Sequence, residues 1–282
     1  MPELPEVETV RRDLSVHLVG LVIESVTVSR EDILLNTAAD DVRHALPGLT
    51  VTDAGRRGKN LILRLGERFA LLVNLGMTGQ LFVGHAEDEL ADHTHLVAEL
   101  SSGDRLVFRD VRRFGHIELV AGDAVGESVT LRNVGVDAVS EEFTPDYLGE
   151  MLRGRTAMLK GALLDQSRLA GLGNIYVCEA LFRAGIHPQT RCGDLSGGDL
   201  IRLHEAIREV LIESIAAEGT TISDYVTGRG VPGGFQKRLA VYGREGETCR
   251  RSGCRHIVIR IVQSNRSTFY CPGCQRGRRQ RE

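Results

Sequence analysis

Cys249-x4-Cys254-x16-Cys271-x2-Cys274 constrains the fold more than any other stretch of the chain. Two closely spaced cysteine pairs bring four thiolates onto one tetrahedral cation once the residues between them turn back. No apolar run in the 282 residues reaches the roughly 18 that a membrane span needs, and no signal peptide opens the chain. The expected address is therefore cytoplasmic, where such pairs bind zinc in preference to forming disulfides. Four thiolates leave no open coordination position, so the expected metal is one structural Zn2+. Residues 257–262 and 267–270 are read as the strands of a zinc hairpin. Cys178 reads as a small buried hydrophobe and Cys192 as an unpaired, inert thiol.

Charge is distributed unevenly. The formal net charge is −3, yet the stretch from Arg244 to Glu282 holds ten arginines against three acids, a local +7. Compensating acids lie elsewhere, for instance Glu87, Asp88, Glu89 and Asp92. A basic face on an acidic body suits a protein that grips a polyanion from one side. Arginine without lysine favours bidentate phosphate contacts.

Apolar periodicity predicts a helix over 6–19, with Val7, Val10, Leu14 and Leu18 on one stripe and Gly20 ending it. Short alternating runs predict strands at 22–28, 61–65, 70–75, 80–83, 95–100, 105–109 and 116–120, with a helix over 40–46. Their spacing implies an antiparallel β-sandwich beside the first helix. Residues 131–142, with Gly135 and several acids, read as a hinge. Thr144-Pro145 caps a helix to about residue 153, and further helices are expected over 157–165, 174–184 and 195–218. The Gly- and Thr-rich stretch 219–236 reads as a linker on its own. The expected class is α+β, divided into 1–136, 137–243 and 244–282.

The first six residues, Met1-Pro2-Glu3-Leu4-Pro5-Glu6, allow two readings. In one they merely open a helix, with Pro5 in its first turn. In the other, removal of Met1 leaves Pro2 as a secondary amine beside a carboxylate. An α-amino group titrates at about 7.7–8.0, so part of it is neutral and nucleophilic at cell pH. Its adduct with an aldehyde-like carbon is an iminium, which is an electron sink. A helix beginning here would set Pro2 and Glu3 at its positive end, where a carboxylate is favoured and a protonated amine is not.

Met-Pro-Glu-Leu-Pro-Glu-Val-Glu resembles the opening of the formamidopyrimidine-DNA glycosylase family, bacterial base-excision enzymes, and matching segments recur to the C-terminus. Arg56-Arg57-Gly58-Lys59 is similar to a family segment whose lysine lies in the active site. Asn74-Leu75-Gly76-Met77-Thr78-Gly79 matches another, with Asn74 in place of the usual histidine. Asp110-Val111-Arg112-Arg113-Phe114-Gly115 matches a third, with Val111 for proline. Leu169-Ala170-Gly171-Leu172-Gly173-Asn174-Ile175-Tyr176 resembles the helix–two-turns–helix motif, in which Gly171 and Gly173 permit the turn. The first cysteine pair is two residues wider than is common in the family.

The resemblance implies a bifunctional DNA glycosylase and abasic-site lyase of base excision repair, working alone on damaged duplex DNA in the nucleoid. Pro2, Glu3 and Lys59 would be catalytic, with Pro2 forming a Schiff base that leads to β,δ-elimination. Met77, His95, Arg112, Phe114, Lys160, Asn174 and Arg266 would contact DNA, Met77 and Arg112 filling the space of the everted nucleotide and Phe114 wedging beside it. Glu6 and Glu179 would line the base pocket, and 219–236 would close over it. Leu4 and that long stretch point to oxidised purines, 8-oxoguanine and formamidopyrimidines. Two rivals stay open: a non-catalytic DNA-binding module on the same scaffold, and the same chemistry directed at oxidised pyrimidines.

Overall fold

The computed structural model describes residues 2–220 and 233–277. The chain divides into two compact units, Met1–Val134 with Ala217–Gly234, and Gly135–Ala216 with Phe235–Glu282. The zinc hairpin clusters with the helices, and Ala217–Gly234 with the β-rich unit.

In the first unit, helix α1 (Leu4–His17) leads into β1 (Ile23–Val28), α2 (Ala39–Ala45), β2 (Val51–Arg57), β3 (Asn60–Leu65), β4 (Phe69–Asn74), β5 (Gly79–His85), β6 (Thr94–Leu100), β7 (Asp104–Asp110) and β8 (His116–Ala121). The strands form two antiparallel four-stranded sheets, ordered β1-β6-β7-β5 and β2-β3-β4-β8. One core unites them: Leu96, Leu106 and Phe108 from the first sheet meet Leu61, Leu63 and Val73 from the second, with Val7, Val10 and Leu14 of α1 in the same cluster. The other face of the second sheet is covered by Leu131, Val125 and Val134 against Ala70 and Leu72. This is the α+β sandwich that alternation implied.

Strand β2 is absent from the sequence expectation. After Val-Thr its residues, Asp-Ala-Gly-Arg-Arg, favour strands little, and the strand buries only Val51 and Ala54. It is an edge strand with a register shift after Val51, so hairpin pairing with β3 across the 58–59 turn makes it a strand, not the preferences of its own residues.

In the second unit, β9 (Val136–Asp137) precedes α3 (Pro145–Leu152), α4 (Leu159–Leu163), β10 (Leu169–Ala170), α5 (Asn174–Ala184), α6 (Gly197–Ala216), β11 (Ile259–Gln263) and β12 (Arg266–Tyr270). Thr144 caps α3 by accepting the Tyr147 N–H at 3.1 Å. The α4–α5 connection is held by Gln166, which donates to the Leu164 and Leu172 carbonyls and accepts the Gly171 N–H. Gly171 has φ 99°, whereas Gly173 is extended and serves as the N-cap of α5. Gly135 is needed for closeness: a Cβ there would lie 2.3 Å from the Arg168 carbonyl oxygen. Helices α5 and α6 are joined by a buried Tyr176–Ser214 hydroxyl pair at 2.6 Å and a bidentate Arg183–Glu213 ion pair.

Candidate functional site

Pro2, Glu3 and Leu4 are buried, so the apolar stripe of α1 carries the chain start inward with it. Glu6, at the third helical position, turns its carboxylate back to accept the Glu3 N–H at 2.8 Å, one half of a capping box. Its other oxygen accepts the Thr220 N–H, also at 2.8 Å. Thr220 bridges to Gly234, so both ends of the 219–236 stretch are pinned beside the first turn of α1. Gly219 has φ 80°, and a Cβ there would come within 3.0 Å of Glu6 Oε1. Residues 221–232, the body of the stretch expected to close over a base, lie outside the described residues, as do Met1 and Arg278, Arg279 and Arg281 of the basic tail.

Lys59 sits with Gly58 in the two-residue turn joining β2 to β3, and Gly58 supplies a φ of 58°. The turn is held from beneath. Arg56 has a side chain only 9% exposed, pairs with Glu8 of α1 at 3.1 Å, and donates to the Gly58 carbonyl at 2.8 Å. Burial alone would raise the Glu8 carboxyl, but hydrogen bonds and charge from Arg11 and Arg56 outweigh it, leaving the pKa below the usual range. The basic hairpin is thus anchored to the helix that carries Pro2.

Two further loops meet backbone to backbone. A Cβ on Gly76 would lie 2.4 Å from the Gly115 nitrogen, so only glycine fits there, with φ 57°. Met77, 41% exposed, stands on the first loop; Arg112 and Phe114, the latter 56% exposed, stand on the second. The Arg112 guanidinium lies over the Phe114 ring at 4.6 Å, a cation–π pair facing outward. Asp110, fully buried, organises both loops. Its Oδ1 accepts the Thr78 hydroxyl at 2.5 Å and the Arg112 N–H at 3.2 Å, and its Oδ2 accepts the Gly115 N–H at 2.7 Å. Arg113 holds φ 55° and pairs with Asp32. His95, expected at the DNA, is instead buried, with Nε2 bonded to the Asp110 carbonyl at 2.8 Å.

In the second unit, Lys160 is buried, its Nζ donating to the Thr268 hydroxyl at 2.5 Å and the Ser267 carbonyl at 3.2 Å. Asn174 also donates to the Ser267 carbonyl, at 3.0 Å, while its own buried Oδ1 has no hydrogen-bond partner among the described residues. Arg266 is exposed beside a hairpin turn whose Ser264 and Asn265 both have positive φ. Lys160 and Arg266 line one cavity of about 400 Å³ with Gln189 and Gln263. Glu179 is buried and accepts three consecutive backbone N–H groups, from Ala240, Val241 and Tyr242, at 2.8–2.9 Å. Its carboxylate is spent on the chain leading into the hairpin.

The four cysteine ligand atoms all lie within 4.8 Å of one another. Cys249 and Cys274 sulfurs are 3.8 Å apart and those of Cys254 and Cys271 3.6 Å. A tetrahedron of sulfurs about 2.3 Å from zinc has edges of about 3.8 Å, so the set fits one structural zinc. Burial pushes the Cys249 and Cys274 thiols up, whereas a backbone hydrogen bond from His256 chiefly brings Cys254 down to about 6. A dication lets all four ionise together. The wider first pair is absorbed by its arginines: Arg250 bonds the Lys237 and Leu239 carbonyls, and Arg251 bonds the Phe182 carbonyl and covers its ring. Arg244 likewise bonds the Ala240 carbonyl. Part of the +7 face is therefore internal structure.

Asp110, Arg56, Glu8 and Asn60 received no role from the sequence. A carboxylate opening a loop and bonding the N–H two residues on is an Asx turn, so Asp110 carried a usable signal. The Arg56–Glu8 pair spans 48 positions and carried none.

Comparisons with known proteins cover the whole architecture. Residues 1–117 match the formamidopyrimidine-DNA glycosylase N-terminal domain, 134–226 its H2TH domain, and 246–277 the zinc finger found in FPG and IleRS. The formamidopyrimidine-DNA glycosylase of Gluconobacter oxydans is 44% identical, covering 98% of this chain and 100% of its own. A point mutant of Lactococcus lactis FPG in complex with DNA containing Fapy-dG superposes with a TM-score of 0.91 at 36% identity, covering 98% of this chain and 100% of that one. MutM in complex with DNA containing carbocyclic 8-oxo-G gives 0.90 at 36% identity, over the same shares.

Proposed function

The chain belongs to the formamidopyrimidine-DNA glycosylase family and is a DNA glycosylase of base excision repair with one structural zinc, and from that premise we propose how its residues act. The substrate is an oxidised purine, 8-oxoguanine or a formamidopyrimidine, in duplex DNA, and glycosylase and abasic-site lyase steps share one covalent intermediate. With Met1 removed, the Pro2 nitrogen attacks the deoxyribose C1′. The C1′–base bond breaks, its electron pair leaves with the base, and Glu3 assists opening of the sugar. The resulting iminium acidifies the C2′ proton; its removal expels the 3′ phosphate, and a second elimination expels the 5′ phosphate. Zinc supports the fold and enters none of these steps.

The observation that carries this reading is the Glu6 carboxylate, which holds the Glu3 N–H with one oxygen and the Thr220 N–H with the other. It joins the amine-bearing chain start to the base of the stretch assigned to cover the lesion. Lys59, on a turn anchored by Arg56, is assigned to the DNA backbone and proton transfer. Met77, Arg112 and Phe114 form the exposed wedge that takes the place of the everted base. Lys160, Asn174 and Arg266 are assigned to flanking phosphates. Glu179 is assigned to the support of residues 240–242, and His95 to the support of the wedge loop. Complexes of similar enzymes with Fapy-dG and 8-oxo-G DNA support the purine assignment.

Borohydride trapping tests the chemistry. A tryptic peptide spanning residues 2–11 should carry the DNA adduct, and recovery of the adduct on Lys59 would overturn the assignment. Single-turnover excision should be faster for 8-oxoguanine opposite cytosine than for thymine glycol opposite adenine. The reverse order moves the enzyme to oxidised pyrimidines, and binding without any trapped adduct removes the covalent step assigned to Pro2.

A further inference from the structure

We infer that Asn74 is a positioning residue whose carboxamide ties the Met77 turn to the Lys59 hairpin, a role that rests on the functions proposed above for Met77 and Lys59. Asn74 ends β4 and faces Asn60 of β3 on one side and His116 of β8 on the other. Its Nδ2 donates to Asn60 Oδ1 at 2.7 Å, and its Oδ1 accepts the Gly76 N–H at 2.9 Å. Asn60 is 6% exposed, directly follows Lys59, and pairs with Arg57 across the hairpin turn. The Gly76 turn has no slack, because its backbone lies against Phe114 and Gly115. One side chain therefore sets the spacing between the hairpin that presents Lys59 and the turn that presents Met77, and through Gly115 it also steadies the Arg112–Phe114 loop.

The chemistry of the bridge is specific. It needs one donor and one acceptor on the same short side chain, and a carboxamide supplies both at every pH. A neutral imidazole also supplies both, but a protonated imidazole has two donors and no acceptor for the Gly76 N–H. Asparagine here makes the coupling insensitive to protonation. The titratable groups around it are Lys59 and Arg57 at the hairpin, Asp110 behind Gly115, and His116 with Glu118 on β8. Those groups are common to any Asn74 variant, so a new pH limb reports position 74 alone.

The test compares wild type, Asn74→Leu, Asn74→His and Met77→Ala in single-turnover excision of 8-oxoguanine opposite cytosine at pH 5.5–8.5, with duplex affinity and thermal melting measured alongside. Asn74→Leu should slow excision by about tenfold, the rate equivalent of about one lost hydrogen bond, with little change in affinity. Asn74→His should approach wild type at pH 8; both share the acid limb of the Pro2 amine, but below about 6.5 the variant-to-wild-type rate ratio should fall further. If Asn74→Leu does not fold, the Asn74→His profile decides, and its superposition on wild type overturns the bridge. A slow Met77→Ala beside an unaffected Asn74→Leu overturns the bridge alone. If neither variant slows excision, the bridge and the role of Met77 fall together.

Discussion

Replacing Asp110 by asparagine keeps the shape of the side chain and removes one acceptor. The carboxylate is fully buried and accepts on both sides: the Thr78 hydroxyl and Arg112 N–H on Oδ1, the Gly115 N–H on Oδ2. In Asp110→Asn one amide oxygen can serve the first pair, and the new NH2 then confronts the Gly115 N–H across 2.7 Å. The reverse orientation keeps the Gly115 bond and lets the NH2 donate to the Thr78 hydroxyl, which still accepts the Arg112 N–H at 3.1 Å, so the loss there is the charge-assisted bond from that N–H to Oδ1. A hydrogen bond to a charged group is worth about 1.5–3 kcal/mol, and an unsatisfied buried N–H costs about 1–3 kcal/mol. In the flipped orientation no N–H is orphaned, and removing a buried charge returns part of the loss, so the net destabilisation should be about 1–2 kcal/mol. Urea unfolding at pH 7 measures it. Because Asp110 shapes the loop of Arg112 and Phe114, excision of 8-oxoguanine should fall further than cleavage of a preformed abasic site. A variant within about 0.5 kcal/mol of wild type, with an unchanged ratio of those two rates, would refute the reasoning.

Cys254→Ser leaves three thiolates, and metal analysis should show zinc lost together with a uniform weakening of binding to all duplexes; normal binding by the chelated protein contradicts this. Glu179→Ala orphans one buried and two part-buried N–H groups and should cost about 3 kcal/mol, with hydrogen exchange at residues 240–242 accelerated first. Glu8→Gln should lower stability at neutral pH. A carboxyl depressed in the folded state contributes stability above its unfolded pKa near 4.5 and loses it as pH falls through the folded value, so wild-type and variant curves should converge only at acid pH. A gap that persists at pH 2 would contradict the ion-pair origin of the effect.

What the sequence determined by itself is whatever depends on neighbours along the chain. The cysteine spacing dictated a four-thiolate metal site, because two short knuckles fix where four sulfurs can go. The stripe of Val7, Val10 and Leu14 dictated a buried first helix, and Asn174–Ala184 forms the helix its pattern predicts. Alternating strands implied the sandwich, though not β2, most of whose residues favour no strand until β3 pairs with them. Tertiary structure alone decided where polar groups found partners. Glu179 bonds residues 61–63 positions away, Arg56 reaches Glu8 across 48, and His95 turns inward to Asp110. The arginine-rich tail shows the same division: its charge is plain in the composition, yet Arg244, Arg250 and Arg251 are consumed by backbone carbonyls. Residue type limits what a side chain can bond, but its partner is set by which backbone groups folding leaves buried and unpaired beside it.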